Sequence, residues 1–215
     1  MPTRRQYSPL DHLFGTLDQA VRTVFGPPAV TERPNPAAGE QSGPLSEAER
    51  REAMRLMRVN HTGEICAQAL YQGQALTARL SEVRGQMERA AAEEYDHLDW
   101  CERRVQALGG HTSVLNPLFY AASFTIGALA GRAGDRWSLG FVAETEHQVV
   151  RHLDSHLERL PAQDTESRAI VGQMKVDEHR HAEHALAAGG AKLPLPVRLA
   201  MRMTAKVMTG TTYWI

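Results

Sequence analysis

Hydrophobic residues along this chain recur at helical spacing, and the pattern divides the chain into several predicted helices. Near the amino terminus, apolar side chains follow one another every three or four positions as far as Phe25, where a Gly-Pro-Pro run ends the pattern. This spacing predicts an amphipathic helix within residues 1–25. Residues 26–44 are rich in Pro, Gly, Ala and polar side chains, which predicts an extended linker.

Four longer helical patterns follow in residues 45–215. The first begins at Ser46, which has capping-box spacing to Glu49, and extends to about residue 76. The other three are predicted from about 82 to 108, 135 to 160 and 164 to 188, and glycine pairs close the second and the fourth helix. No segment alternates like a strand for long, so the sequence predicts an all-α protein.

The four long helices form two predicted hairpins, joined by a long apolar connection from His111 to Gly134. A ferritin-like four-helix bundle has one long crossover between its two hairpins, and this connection is long enough to serve as one. The sequence therefore predicts a ferritin-like bundle with additional amphipathic helices. A plain up-and-down bundle is the alternative.

Composition narrows the class of protein. The length of 215 residues suits one core, and 42% hydrophobic with 23% charged residues is usual for a soluble globular protein. A net charge of -1 gives no reason to expect a nucleic-acid partner. The two cysteines, Cys66 and Cys101, support neither a disulfide framework nor a thiolate zinc site, which favours a reducing cytosolic setting. Polar residues and proline interrupt the apolar residues before Phe25, so we expect no export signal.

One constellation of acidic and histidine side chains occurs twice. Each copy has one glutamate on one long helix and, thirty or thirty-two residues later, a Glu-x-x-His pair on the next helix. The first copy is Glu64, Glu94 and His97, and the second is Glu146, Glu178 and His181. A spacing of three places Glu and His on one helix face. Di-iron and di-manganese bundles build their core ligand sets in this way.

A third Glu-x-x-His match, from Glu144 to His147, overlaps the second copy. Helical periodicity places Glu146 on an apolar stripe with Val142 and Leu153, where a core residue belongs. Glu144 aligns instead with polar positions, which predicts a solvated surface residue. Glu94 and Glu178 also fall among apolar residues, whereas the stripe that contains Glu64 is less apolar and supports a core position only weakly.

Four carboxylates in a bundle core would repel one another and lose their hydration unless cations compensate their charge. Two divalent ions would do so. Carboxylate oxygen with one imidazole per metal suits iron or manganese, and the spacing does not choose between them.

The stretches that carry these side chains resemble the demethoxyubiquinone hydroxylases, the di-iron monooxygenases of ubiquinone biosynthesis. The resemblance extends from about Met54 to the carboxyl terminus. Its distinctive stretches are Met57-Arg-Val-Asn-His-Thr-Gly-Glu64-Ile-Cys-Ala-Gln68, Glu93-Glu94-Tyr-Asp-His97-Leu, Thr145-Glu146-His-Gln-Val and Asp177-Glu178-His-Arg-His181.

The resemblance implies two iron ions per chain, held by the two copies of the constellation, with some glutamates bridging. It implies that a polyprenylated methoxy-methyl-benzoquinol gains a ring hydroxyl from O2, while the second oxygen atom leaves as water. It also makes His152, six residues after Glu146, a candidate to support the ligands, with a surface imidazole as the alternative. The amino-terminal helix and the linker show no specific match and are not expected to touch the chemistry.

A polyprenylated substrate resides in a bilayer, so we expect peripheral contact with the cytoplasmic face of the cell membrane, and contact with other ubiquinone-biosynthesis proteins is compatible with this setting. Leu118 to Gly131 is an uncharged stretch of 14 residues, too short to span a membrane. Phe119, Phe124 and Leu129 are its predicted contact residues.

Near the carboxyl terminus, basic residues recur every four positions beside an apolar face, a pattern suited to an anionic membrane surface. The basic residues are Arg198, Arg202 and Lys206, and the apolar ones are Leu199, Met203 and Val207.

Three other functions share parts of this pattern. The ligand set alone also suits another ferritin-like di-iron oxidase or hydroxylase. An iron storage or detoxification protein would take up many irons per chain rather than two. A non-catalytic quinone-binding or assembly protein would have no need of all six ligands.

Overall fold

The computed structural model describes residues 9–31 and 33–215, and within these residues the chain forms seven helices and no strand. The helices are α1 (Pro9–Phe25), α2 (Glu47–Thr77), α3 (Ser81–Ala107), α4 (Asn116–Arg132), α5 (Asp135–Arg159), α6 (Thr165–Ala187) and α7 (Leu195–Thr212). The prediction of an all-α fold with four long helices is confirmed, and the observed bounds lie within a few residues of the predicted ones.

The four long helices are α2, α3, α5 and α6. Helix α2 packs against α3, and α5 packs against α6, so each hairpin is a unit. Helix α4 connects the two hairpins and packs along α2. The long apolar connection of the sequence is therefore a crossover that is itself helical, as a ferritin-like bundle requires.

Local sequence signals fix the ends of the long helices. The Ser46 hydroxyl accepts a hydrogen bond from the Glu49 amide at 3.3 Å, and the Glu49 carboxylate accepts one from the Ser46 amide at 2.8 Å. This capping box satisfies two exposed amides at the start of α2. Beyond α3 and α6, Gly109 and Gly189 adopt φ angles of 79° and 96°, a conformation that favours glycine and closes a helix.

Glycine also permits the close approach of α4 to α2. A Cβ atom on Gly73 would clash with the backbone carbonyl oxygen of Phe124, and one on Gly127 would clash with that of Leu70. Because backbone lies against backbone here, α4 has no room for larger side chains at this crossing. The crossover is consequently held tightly to the hairpin that carries Glu64.

The core of the bundle consists of two main clusters of buried apolar side chains. One cluster contains Met57, Trp100, Leu153 and Met174, and the other contains Tyr71, Met87, Val142 and Ala185. Each of the four long helices contributes to both clusters. On each of these helices, the predicted ligands lie between the residues of one cluster and the residues of the other. The apolar core therefore encloses the polar centre from both ends.

Outside the bundle, α7 packs against α2 and α5. Among the helices of the described residues, none combines the length and the apolar character that crossing a membrane requires.

Candidate metal centre

The six predicted ligands all lie inside the bundle. Their exposed fractions are 3% for Glu64, 0% for Glu94, 0% for His97, 2% for Glu146, 1% for Glu178 and 7% for His181. Periodicity gave only weak support for a core position of Glu64, although the side chain is buried. The reason is that its polar neighbours are buried too: His61 lies under α4, and Gln68 lies against α3. Polar residues on that face of α2 therefore do not indicate solvent.

Four of the six side chains converge directly. Ligand atoms of Glu64, Glu94, His97 and Glu178 all lie within 4.8 Å of one another. The Nδ1 atom of His97 lies 3.1 Å from a carboxylate oxygen of Glu94, 3.1 Å from one of Glu178 and 3.8 Å from one of Glu64. One imidazole nitrogen thus faces three carboxylates.

The second copy of the constellation meets the first. The Nδ1 atom of His181 lies 3.2 Å from Glu94 Oε1 and 3.2 Å from Glu178 Oε2. Glu146 accepts a hydrogen bond from the Tyr71 hydroxyl at 2.5 Å, and its charge interacts with those of Glu178 and Glu94. Glu94 and Glu178 therefore sit at the middle of one centre, since each contacts both histidines.

Burial and crowding shift the pKa values of the outer carboxyls. Burial, followed by the charge of Glu94, raises the pKa of Glu64 well above its usual range. Burial and the charge of Glu178 do the same to the pKa of Glu146. Burial also opposes ionisation of Glu94, but the neighbouring imidazoles of His181 and His97 outweigh it and lower the Glu94 pKa. A bound metal would favour the ionised carboxylates and so oppose the upward shifts at Glu64 and Glu146.

The outer nitrogens of the two histidines are also held. Nε2 of His97 lies 3.0 Å from Asp177 Oδ2, and Nε2 of His181 lies 2.9 Å from Glu93 Oε2. Each histidine is thus supported by the acidic residue that precedes the Glu-x-x-His glutamate of the other hairpin. Such hydrogen bonds fix the orientation of a metal-binding imidazole. The sequence analysis gave Glu93 and Asp177 no role, although an acidic residue directly precedes each Glu-x-x-His motif and could have indicated both.

The linker reaches this centre, contrary to the expectation that it would not touch the chemistry. The Thr31 amide donates a hydrogen bond of 2.7 Å to Asp96, the buried neighbour of His97. Arg33 Nη2 lies 2.6 Å from Asp177 Oδ2. Apart from a turn at residues 36–39, the described residues of the linker have no regular secondary structure, and hydrogen bonds hold them against the bundle.

The prediction of a solvated Glu144 is wrong, although the choice of Glu146 over Glu144 for the centre agrees with where the two side chains lie. Glu144 is only 8% exposed. Its carboxylate accepts hydrogen bonds from Arg198 Nε and Gln148 Nε2, each at 2.8 Å. The polar face of α5 faces α7 rather than solvent, because α7 covers it.

His152 is not an exposed surface imidazole. Its ring lies 3.9 Å from that of His156, measured between centroids, and both rings are largely enclosed. Burial, aided by the charge of Arg159, lowers the His152 pKa to about 4. A direct role in supporting the ligands stays a prediction.

An apolar cavity leads to the centre. It has a volume of about 590 Å³ and is lined by side chains from α2, α4, α5, α6 and α7. Glu64, Glu146 and Glu178 form part of its wall, and His152 lines it as well. Most of the remaining wall is apolar, including Leu70, Phe119, Ile126, Phe141, Val149 and Met208.

The donor set suits a pair of hard divalent cations. Within the described residues, Glu94 Oε1 and Glu178 Oε1 are buried and accept no hydrogen bond, although each lies close to a histidine Nδ1. Buried carboxylate oxygens without partners are costly. Four carboxylates and two imidazoles, with their Nδ1 atoms inward and their Nε2 atoms tied to carboxylates, match what iron or manganese binds.

Fold and centre together define the class of protein, a ferritin-like helical bundle with a carboxylate and histidine centre in its core. A solved structure described as a dodecameric thioferritin, the bacterioferritin-related protein from Bacteroides fragilis, has a TM-score of 0.55 to this chain. The alignment covers 72% of this chain and 90% of that chain at 16% identity, so the likeness concerns the fold alone.

Sequence comparison is more specific. Residues 51–212 match the family of the ubiquinone biosynthesis protein COQ7. A relative from Nitrosococcus oceani named 3-demethoxyubiquinol 3-hydroxylase is 62% identical over 211 residues, which are 98% of this chain and 99% of the relative. One of the same name from Pseudomonas fluorescens is 59% identical over the full length of both chains. The chain belongs to this family.

Proposed function

We infer that this chain hydroxylates the ring of a polyprenylated demethoxyubiquinol with O2, the activity for which its full-length relatives are named. It is an enzyme of ubiquinone biosynthesis. The observation that carries this function is the apolar cavity that ends on the carboxylates of the buried centre. A storage protein needs a path for ions, whereas a cavity with apolar walls suits a greasy organic substrate.

The proposed ligands are the six predicted side chains. Glu64 and His97 would hold one iron ion, Glu146 and His181 the other, with Glu94 and Glu178 shared between them. The contacts of Glu94 and Glu178 with both histidines support this division. Bound iron would supply the activation of dioxygen.

The side chains around the centre have separate tasks in this proposal. Asp177 and Glu93 fix the orientation of the two imidazoles. The Tyr71 hydroxyl donates to Glu146 and so holds that carboxylate in place. The apolar cavity wall excludes water and orients the quinol ring toward the centre. One oxygen atom is inserted into a ring C–H bond to give a hydroxyl, the other leaves as water, and a reductant supplies the electrons while solvent supplies the protons of that water.

The cavity lies between α4 and α7, and both helices also expose apolar side chains that do not line it. The exposed fractions are 63% for Leu118, 63% for Leu129, 70% for Met203 and 62% for Val207. We place the isoprenoid tail at this opening and propose that α4 and α7 rest on the cytoplasmic face of the cell membrane. The tail would then pass from the bilayer to the cavity without crossing water.

Some of the predicted membrane-contact residues have other positions. Phe124 stacks on Tyr120, with 6.3 Å between ring centroids, and Phe119 lines the cavity. Arg198 is engaged with Glu144, whereas Arg202 and Lys206 are exposed. The proposed membrane surface therefore consists of Leu118, Leu129, Leu199, Met203 and Val207, with Arg202 and Lys206 available to anionic headgroups.

Product analysis tests the enzymatic function. The protein is loaded anaerobically with ferrous iron, and then receives isotopically labelled dioxygen, a reductant and a demethoxyquinol analogue. We expect about two irons per chain and a quinol that has gained one labelled oxygen atom in the mass spectrum. Iron uptake far beyond two per chain would indicate storage instead. A fully loaded protein that leaves the analogue unchanged would refute hydroxylation.

Liposome flotation tests the membrane surface. Replacing Met203 and Val207 together by glutamate should release the folded protein from anionic vesicles, because apolar contact is lost and the two new negative charges oppose the attraction of Arg202 and Lys206. Val176→Glu is the matched control, since Val176 is 60% exposed on α6. Equal flotation of both variants and the unmodified protein would rule out α7 as the contact.

A further inference from the structure

The linker between α1 and α2 is held at points that lie directly behind the candidate centre. Thr31 bonds to Asp96 through both its amide and its hydroxyl, and Arg33 bonds to Asp177. Farther along, the Gly43 amide donates to the Gln163 carbonyl at 2.9 Å. A spacer that only tethers α1 would need none of these contacts.

Asp177 is the point where the linker meets the ligands. Its side chain is fully buried, and its Oδ2 atom receives both Arg33 Nη2 at 2.6 Å and His97 Nε2 at 3.0 Å. Its Oδ1 atom receives Gln173 Nε2 at 3.1 Å and Arg180 Nη2 at 3.0 Å. Arg33 is thus the donor that shares one oxygen atom with the imidazole of His97.

Among the described residues, the linker makes no hydrogen bond to the corresponding support of His181, which feels only the charge of Arg33. Glu93 accepts from His181 and from Arg180 on α6, and its side chain is 39% exposed. The two histidines therefore have unequal surroundings: a buried carboxylate anchored from outside the bundle for His97, and a half-exposed carboxylate for His181. A buried charge needs such compensation more than an exposed one does.

We propose that Arg33 is a positioning residue for the iron site on the His97 side, acting through Asp177. The inference rests on the proposed function, because it assumes that His97 binds iron through Nδ1. Arg33 neutralises the buried carboxylate and fixes the oxygen atom that orients His97. Its guanidinium also lies over the Trp100 ring, 5.2 Å from the centroid, and that ring is 5.3 Å from His97. Packing and hydrogen bonding thus restrain Arg33 together.

Iron release from the full chain tests this role without reference to turnover. Arg33→Met keeps an apolar stem over Trp100 but removes the charge and the donors, whereas Arg33→Lys keeps the charge. Arg103→Met is the matched control, because Arg103 is an exposed arginine on α3 that pairs only with nearby Asp99 among the described residues. Each variant is loaded anaerobically with ferrous iron, and its release to a colorimetric chelator is followed over time.

We expect Arg33→Met to bind one of its two irons more weakly by about 10-fold, the lower end of the cost of losing an outer partner of a ligand, because Arg33 acts on His97 through Asp177. One release phase should accelerate while the other is unchanged, and Arg33→Lys should fall between Arg33→Met and the unmodified protein. Arg103→Met should behave like the unmodified protein.

Two results would overturn the inference: equal release from Arg33→Met and Arg103→Met, or an equal acceleration of both phases in Arg33→Met, which would indicate general loosening. Failure of the proposed function looks different, because the unmodified protein itself would then not retain two irons. Should Arg33→Met fold poorly by circular dichroism, Arg33→Lys decides, and release from it identical to that of the unmodified protein would count against a positioning role.

Discussion

The candidate centre faces two unlike surroundings. On the cavity side, Glu64 and Glu146 meet apolar walls built from α2, α4, α5 and α7. On the linker side, the outer nitrogens of His97 and His181 meet Asp177 and Glu93, which are in turn paired with arginines. One side is largely apolar, and the other is a network of charged hydrogen bonds.

The two sides of the centre therefore have different roles. Burial raises the pKa of Glu64 and of Glu146, so on the cavity side burial opposes the ionised form of these ligands unless cations compensate their charge. On the linker side burial opposes protonation of His97, but hydrogen bonds led by the one to Asp177 raise its pKa. The cavity side is suited to admit an apolar substrate, and the linker side is suited to fix the ligands.

The largest expected effect is on the cavity side, at α5. Glu146→Ala should abolish hydroxylation and lower the bound iron, because it removes a carboxylate that helps to compensate the cations. Glu144→Ala is the matched variant two residues away, on the opposite face of the helix. It should keep the iron. Metal analysis and product formation on folded protein measure both effects.

Glu144→Ala should nevertheless lower the stability of the protein. It leaves Arg198 on α7 without its carboxylate, and losing one partner of a part-buried pair costs about 1–3 kcal/mol. We therefore expect a lower thermal midpoint and weaker substrate binding with normal iron content. Iron loss as complete as in Glu146→Ala would show that the two faces of α5 have been assigned wrongly.

An intermediate effect should distinguish the two histidine supports on the linker side. Asp177→Asn should weaken iron binding about 10- to 100-fold, because Asp177 is buried and joins two arginines to His97. Glu93→Gln should weaken it less than about fivefold, since the half-exposed pair is screened by water. Competition with a chelator gives both affinities. The reverse order would mean that burial does not determine the importance of the supporting carboxylate.

Much of the fold and of the candidate centre could be predicted from the sequence, because both depend on patterns within single helices. Helix periodicity and caps gave the long helices, and the spacing of Glu and His brought out the six side chains. The environment of Glu144 could not be predicted, because a polar face looks the same whether water or α7 covers it. The contact of Arg33 with Asp177 joins residues 144 positions apart, and no periodic pattern reports such a pairing.

The smallest expected effect concerns acid stability and contrasts the same two sides. On the cavity side, burial lowers the pKa of His152 to about 4, whereas on the linker side the pKa of His97 is raised. An unfolded histidine titrates near 6.5. Below that pH the unfolded chain takes up a proton that folded His152 refuses, so stability is complete above about 6.5 and falls as the pH drops toward 4.

The expected loss from His152 is about 1 kcal/mol between pH 7 and pH 5.5. His156 and Arg159 face His152, and His156 responds in the same direction because burial, aided by the charge of His152, lowers its pKa.

Urea unfolding of iron-free protein at several pH values measures the effect. Relative to the unmodified protein, His152→Gln should gain about 1 kcal/mol at pH 5.5 compared with pH 7, because glutamine does not titrate. His184→Gln, on the exposed surface of α6, should show no such gain. A pH profile of His152→Gln parallel to that of the unmodified protein would mean that the imidazole is protonated as readily in the folded chain as in the unfolded one, and the cavity side would then be wetter than its apolar walls indicate.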